Sequence, residues 1–442
     1  MLDYRPQNGP TDSRLQRMKA HALSELGHRT EEPPISWLMA TALAQPHIIS
    51  LAAGFTDNES LPVKEVRSLL DEILRSPRTG QAALQYGTTA GDPVLRELTA
   101  GHLQSLDGQR SAGRAYSSER MIITNGSQQM LYMVTEALCD PGDIVLVEDP
   151  SYFVYLGILQ SHGVRARGVR IEKDGLDSNR LEAVLEALKR SGELRRVKLL
   201  YLVSYYQNPT GITTSYAKKT SALKLLRQYE RAAGHPIYLV EDAAYRELRF
   251  QGEDVKSALA IKDSHDRLIY AGTYSKPFAT GTRVGFGIMP EPVFSAVLRI
   301  KGNHDFGSSN LLQQLLARAL SSGRYEKHLA EMQARYAHKA QVMRKALTDH
   351  FPPQVEWWEP NGGLYFWARL PRSISSSPKS KFFLKALKSG VLYVPGELCY
   401  ADDPTRRKPN HEMRLSYGGA TKVNVGTGIA RLGAVLRDFL RR

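Results

Sequence analysis

MIITNGSQQMLYMVTEALCDPGDIVLVED, residues 121–149, sets two short apolar runs, MIIT and DIVLVED, on either side of a helical stretch. The helix pattern SQQMLYMVTEALC (127–139) ends before the Pro141-Gly142 turn, and the second run follows directly. The same alternation continues in VKLLYLVS (197–204), IYLVED (237–242), LIYAGTYS (268–275) and VGFGIM (284–289). Strands that are apolar throughout, separated by helices, are buried on both faces, which predicts a mostly parallel α/β sheet with helices on each side. Ligands of such sheets sit beyond the carboxyl ends of the strands, and here those ends run into polar loops.

Outward from this core the pattern changes. The first fifty residues are polar and broken by Pro6, Pro10, Pro33, Pro34 and Pro46, reading as an arm with one helix around residues 12–27. After Asn310 a long helical pattern, interrupted near Ser321–Gly323, runs to about residue 349. VEWWEP, GGLYFWARL and MRLSYGG then read as strands of a smaller α+β domain. The expected division is an arm over 1–52, a large domain over 53–306 and a small domain over 307–442.

Composition narrows the function. The 442 residues carry a net charge of +14, but the basic residues are spread along the chain with no basic arm interleaved with aromatics. That argues against a nucleic-acid binder and for a general field favouring small anions. No apolar run of about 18 residues spans a membrane. The N-terminus lacks the basic-then-apolar order of a secretory signal, and two cysteines, Cys139 and Cys399, make neither a disulfide framework nor a zinc site. The expectation is a cytoplasmic protein without a metal.

The strand ends carry the chemistry. NGSQQ opens a helix, where free N–H groups and the dipole favour an anion, with Ser127 either adding a hydroxyl or capping the helix. Tyr152 follows VLVEDPS and can lie over a planar ligand or pack in the core. Asn208 stands in the NPTG turn. Asp242 ends a buried strand, with Tyr245 three residues on, and a buried carboxylate needs a cation: a protonated ring nitrogen or a neighbouring Arg or Lys. Thr273, Ser275, Lys276 and Arg283 cluster in TYSKPFATGTR. Together they specify a ligand with a phosphate, a flat ring, a basic ring nitrogen, a phenolic oxygen and an aldehyde for the lysine, as pyridoxal 5′-phosphate has.

SLAAGFTDNESLP, LQYGTTAGDPVLRE, ITNGSQQ, EDPSYF, QNPTG, EDAAYREL, TYSKPFATGTRVGF and MRLSYGG occur in this order from residue 50 onward. The chain resembles the class I/II aminotransferases of fold type I, nearest the 2-aminoadipate, kynurenine and aromatic aminotransferases. The resemblance implies a mostly parallel seven-stranded sheet in an α/β/α arrangement, a smaller α+β domain, and pyridoxal phosphate as cofactor. It implies transfer of an amino group from an L-amino acid to a 2-oxo acid, 2-oxoglutarate for example, by a ping-pong route. A decarboxylase or lyase on the same scaffold would bind the cofactor alike. Regulators with an aminotransferase-like domain carry a winged helix and linker in front, for which about fifty residues are too few.

Carried over by motif, Lys276 would take the cofactor's aldehyde, Asp242 would pair its ring nitrogen, and Tyr152 would stack on the ring. Asn208 and Tyr245 would meet the phenolic oxygen, and Ser127, Gln128, Thr273, Ser275 and Arg283 the phosphate. Tyr86 would reach a phosphate in a neighbouring subunit, implying a homodimer. Arg414 would grip the substrate carboxylate beside Asn208, and Gly54 would let the substrate backbone approach. Thr273 replaces the family's usual serine, Thr280 a common proline, and Pro277 favours an extended Lys276.

Overall fold

The structure is a computed structural model that describes residues 22–45, 47–109 and 113–441. Its strands, in chain order, are β1 (Ile49–Ser50), β2 (Met121–Asn125), β3 (Ile144–Asp149), β4 (Arg165–Glu172), β5 (Gly175–Leu176), β6 (Val197–Val203) and β7 (Tyr238–Asp242). β8 (Leu268–Thr273), β9 (Val284–Ile288), β10 (Glu356–Trp358), β11 (Tyr365–Arg369), β12 (Val391–Leu392), β13 (Val394–Pro395) and β14 (Glu412–Ser416) follow. The main sheet has the order β2-β9-β8-β7-β6-β3-β4-β5. β8, β7, β6, β3 and β4 pair parallel, and β9 runs antiparallel between β2 and β8.

The sheet has eight strands where seven were expected. The extra one is the two-residue β5, folded back on β4 through Lys173-Asp174. Gly175 makes the return possible at φ 110°, and a Cβ there would meet Thr214 Cα at 2.6 Å.

β2 to β8 are interrupted by helices whose ends are written into the sequence. Ser215 caps Tyr216–Ala233 by accepting from Lys218 N, and Gly234 ends that helix in the left-handed region at φ 82°. The apolar runs give strands in which every residue of β8 and β9 is buried. β9 lies close under the helix Gly126–Leu138 because Gly285 and Gly287 share one face. Cβ atoms there would come within 2.4 Å of Ser127 N and 2.3 Å of Met130 Cε. Two ion pairs lie inside this lobe, Lys219–Glu241 at 2.9 Å and Arg246–Asp107 at 2.7 Å.

The long pattern after Asn310 forms two helices, Asn310–Ser321 and Arg324–His350, separated at Gly323 with φ 73°. The second sheet is antiparallel in the order β10-β11-β14-β13 and contains the three strands expected there. β1, at the end of the arm, pairs parallel with β12 of the C-terminal part, which joins residues 49–50 to the small domain. The helix expected over 12–27 falls mostly outside the described residues, which show a short helix at Glu25–Arg29. No helix among the described residues is long and apolar enough to cross a membrane.

Candidate active site

β2, β3, β6, β7 and β8 all end at one edge of the sheet, and β9 begins there. Their ends deliver Gly126, Ser127, Gln128, Tyr152, Asn208, Asp242, Tyr245, Thr273, Ser275, Lys276 and Arg283 to a single cavity. Ten of the sequence-predicted residues therefore meet in one place. Arg414 and Gly54 adjoin it through hydrogen bonds. Tyr86 does not line it: its side chain is 83 % exposed and packs edge-on against Phe306.

Lys276 lies in a turn closed by Phe278 N donating to Tyr274 O at 3.0 Å, so the turn overrides the extended preference expected before Pro277. Its Nζ donates to Gly54 O at 2.8 Å. Burial, then the nearby Arg283 and Arg414 charges, lower its pKa to about 8. Lys219, Lys301 and Lys339 are also shifted down, but they pair with Glu241, Asp305 and Asp57. Lys276 is the one among the described residues whose shift is opposed by no carboxylate. A neutral amine is the nucleophile that condenses with an aldehyde. The rate at which apoenzyme takes up the cofactor covalently should therefore rise with pH through a midpoint near 8. Stopped-flow absorbance measures it, and a midpoint near 10 would contradict this environment.

Asp242 is 3 % exposed and accepts from Tyr201 Oη at 2.8 Å and Ala244 N at 3.0 Å. Burial outweighs these two bonds and raises its pKa to about 6. No cation among the described residues pairs with it, although the sequence left a neighbouring Arg or Lys open as the partner.

At the opposite end, Asn125 precedes the helix Gly126–Leu138 and makes no side-chain cap, so the first N–H groups have no partner from that source. Arg283, in the left-handed region at φ 50°, brings its guanidinium against Gly126, where a Cβ would sit 2.9 Å from Nη2. Ser275 Oγ is buried without a hydrogen-bond partner. Thr273 lines the cavity, but its hydroxyl donates to Val284 O at 3.2 Å and accepts from Ser275 N at 3.1 Å.

Asn208, in the loop after β6 next to β7, brings its polar groups to the same cavity. Arg414 Nη1 donates to Asn208 Oδ1 at 2.6 Å and Nη2 to Ala52 O at 2.5 Å, and Asn208 Nδ2 donates to Tyr245 Oη at 3.3 Å. Arg414 is 1 % exposed, has no carboxylate partner among the described residues, and leaves its Nε unsatisfied. The Asn208 loop is anchored from below by Glu148, which accepts from Gln207 Nε2 and Val203 N, both at 2.8 Å. Burial pushes that carboxyl up to about 7.

Three residues here were missed by sequence reading: Glu148, Tyr201 and Tyr365. Tyr201 is revealed only once the strands are paired. β6 pairs with β7 in the register Val203↔Asp242, and Tyr201 shares Val203's face, so its hydroxyl falls beside the carboxylate. Tyr365, on β11, places its ring 4.3 Å from the Arg414 guanidinium carbon and its hydroxyl 3.1 Å from that of Tyr245.

The residues fit pyridoxal phosphate. An orphaned hydroxyl, a helix start and a guanidinium suit the phosphate; a buried carboxylate without a cation suits the ring nitrogen; a deprotonatable amine suits the aldehyde. The comparisons agree. The family model "Aminotransferase class I and II" matches residues 46–432. Aromatic-amino-acid aminotransferase 1 of Thermococcus litoralis is 32 % identical over 89 % of both chains. 2-Aminoadipate transaminase of Thermus thermophilus is 31 % identical over 90 % of this chain and 92 % of its own. The structure of Pyrococcus horikoshii kynurenine aminotransferase in complex with PMP superposes with a TM-score of 0.86 at 30 % identity, covering 97 % of this chain and all of that one. The chain belongs to the class I and II aminotransferase family and is a pyridoxal-phosphate-dependent aminotransferase of fold type I.

Proposed function

We propose that this enzyme transfers the α-amino group of an L-amino acid to a 2-oxo acid, with 2-oxoglutarate as the acceptor, by a ping-pong route. The observation that carries this reading is that Asp242 and Lys276 line one cavity, with Arg414 bonded to Asn208 of its wall, and that neither Asp242 nor Arg414 has a partner of opposite charge among the described residues. When bound, pyridoxal phosphate supplies the aldehyde and a ring that accepts electron density from the substrate Cα.

The chain's residues do the rest. Lys276 would hold the aldehyde and, with its amine free, would move a proton at the substrate Cα; an amine near pKa 8 serves as acid and base near neutral pH. Asp242 keeps the ring nitrogen protonated, and Tyr201 holds that carboxylate in place. Ser127, Gln128, Ser275 and Arg283 bind the phosphate, with Thr273 shaping the loop. Tyr152 would cover the ring, and Asn208 and Tyr245 would meet its oxygen. Gly54, over the Tyr365 hydroxyl, leaves room for the substrate backbone.

Arg414 grips the substrate α-carboxylate with both nitrogens, a planar fork that lysine cannot reproduce. Arg414→Lys should raise KM for the amino donor by about 10- to 100-fold, the worth of one charged hydrogen bond, with a smaller effect on kcat. Steady-state kinetics checks this, and an unchanged KM would remove Arg414 from the role.

Tyr86 and Phe306, 83 % and 58 % exposed and packed together, suit a homodimer in which Tyr86 reaches the partner's phosphate. The buried, free thiols of Cys139 and Cys399 suit a reducing cytoplasm, where we place the enzyme. The donor is found by a half-reaction screen: the yellow enzyme is mixed with single amino acids, aromatic ones and 2-aminoadipate included. Loss of the visible band that 2-oxoglutarate restores supports the reading; no response to any amino acid would defeat it.

A further inference from the structure

Four buried side chains close a ring beside the cavity. Arg414 Nη1 donates to Asn208 Oδ1 at 2.6 Å, which fixes the amide's orientation, so Nδ2 must donate to Tyr245 Oη at 3.3 Å. Tyr245 Oη lies 3.1 Å from Tyr365 Oη, and the Tyr365 ring returns to Arg414, 4.3 Å from its guanidinium carbon. Tyr365 is 1 % exposed, and Gly54 crosses so near its hydroxyl that a Cβ would sit 2.6 Å away.

Proton counting gives this ring a direction. Two phenols own two protons but share one contact, and Tyr245 already accepts from Asn208. One phenolic proton is therefore without an acceptor among the described residues. Tyr245 lines the cofactor cavity and Tyr365 does not. An anionic ring oxygen in that cavity draws the free proton onto the cavity side, so Tyr365 donates to Tyr245 and Tyr245 donates inward. A donor that itself accepts two hydrogen bonds is held in place and faces the anion with its only proton.

We propose that Tyr365 is a positioning residue for transamination: acting through Tyr245, its hydroxyl sets the hydrogen bond given to the cofactor's ring oxygen, while its ring ties that setting to Arg414. The inference rests on the placement of Tyr245 against that oxygen. It predicts that carboxylate binding at Arg414 and the acidity of the bound chromophore are coupled through Tyr365.

The test uses holoenzyme and the pH titration of its visible absorption. A hydrogen bond to the ring oxygen stabilises the deprotonated chromophore, so losing one raises the midpoint. Tyr365→Phe leaves Tyr245's bond in place but frees its orientation, so it should raise the midpoint by a fraction of the about 0.7 of a pH unit that one neutral hydrogen bond is worth. Tyr245→Phe should raise it further, and adding Tyr365→Phe to Tyr245→Phe should change nothing more. Gly54→Ala, which pushes the hydroxyl from the other side while keeping both phenols, should move the midpoint in the same direction. A midpoint unmoved by Tyr365→Phe, or moved equally in both backgrounds, overturns the inference alone. A midpoint unmoved by Tyr245→Phe overturns the placement of Tyr245 and the inference with it.

Discussion

Lys276→Ala should lower turnover by about 10⁴-fold or more, since it deletes both the attachment point and the acid/base group. The same variant should fold normally. Its amine makes one hydrogen bond, to Gly54 O, and its charge is disfavoured by burial and by Arg283 and Arg414. Removing it relieves that repulsion, so the apoenzyme's thermal midpoint should hold or rise. Phosphate binding should also survive, because the helix start at Gly126, Ser275 and Arg283 are untouched. Pyridoxal phosphate would then bind without covalent attachment and leave on gel filtration in the presence of competing phosphate. Turnover within tenfold of the parent enzyme would contradict the account.

Asp242→Asn should separate activity from stability. In the folded apoenzyme, burial raises this carboxyl from 3.8 to about 6. A raised carboxyl pKa means that its stabilising contribution is present below about pH 4 and is lost as pH rises through 6. The ionised group then costs about 3 kcal/mol at neutral pH, taking the difference between folded and unfolded values. The amide keeps its acceptor for Ala244 N and, with Tyr201 Oη turned to accept, carries no charge. Apoenzyme melting at pH 7.5 should rise on substitution, and the parent's gain on acidification from 7 to 5 should vanish. Turnover should fall by about 10²- to 10³-fold, the scale of losing one preorganised electrostatic partner. The cofactor, whose ring nitrogen supplies the missing cation, should stabilise the parent more than the variant. A variant less stable than its parent at pH 7.5, or equally active, would show that Asp242 has another partner.

The site was legible in the sequence wherever an apolar strand ends abruptly in polar residues. The change of character marks the strand's end, and a parallel sheet gathers such ends along one edge. Asp242, Asn208, Lys276 and Ser127 were found this way. The course of β9 was not legible. VGFGIM reads like its neighbours, and only pairing shows that it runs against β2 and β8, which is what puts Arg283 at its start beside Gly126.

Residues supplied from across the sheet, or by another sheet, were also hidden. Tyr201 sits inside an apolar run with no break in the pattern, so its hydroxyl's target depends on register. Tyr365 belongs to a strand of the second sheet, some 120 residues from Tyr245, and nothing local marks its hydroxyl as meeting that of Tyr245. Thr273 lines the cavity, and its hydroxyl also meets Val284 O, a backbone contact that composition cannot reveal.

The most direct measurement is to reduce the yellow holoenzyme with borohydride, digest it, and locate the pyridoxyl group by mass spectrometry. The account predicts one modified residue per chain, Lys276. A pyridoxyl group found instead on Lys219, Lys301 or Lys339, or a chain that takes up none, would contradict it.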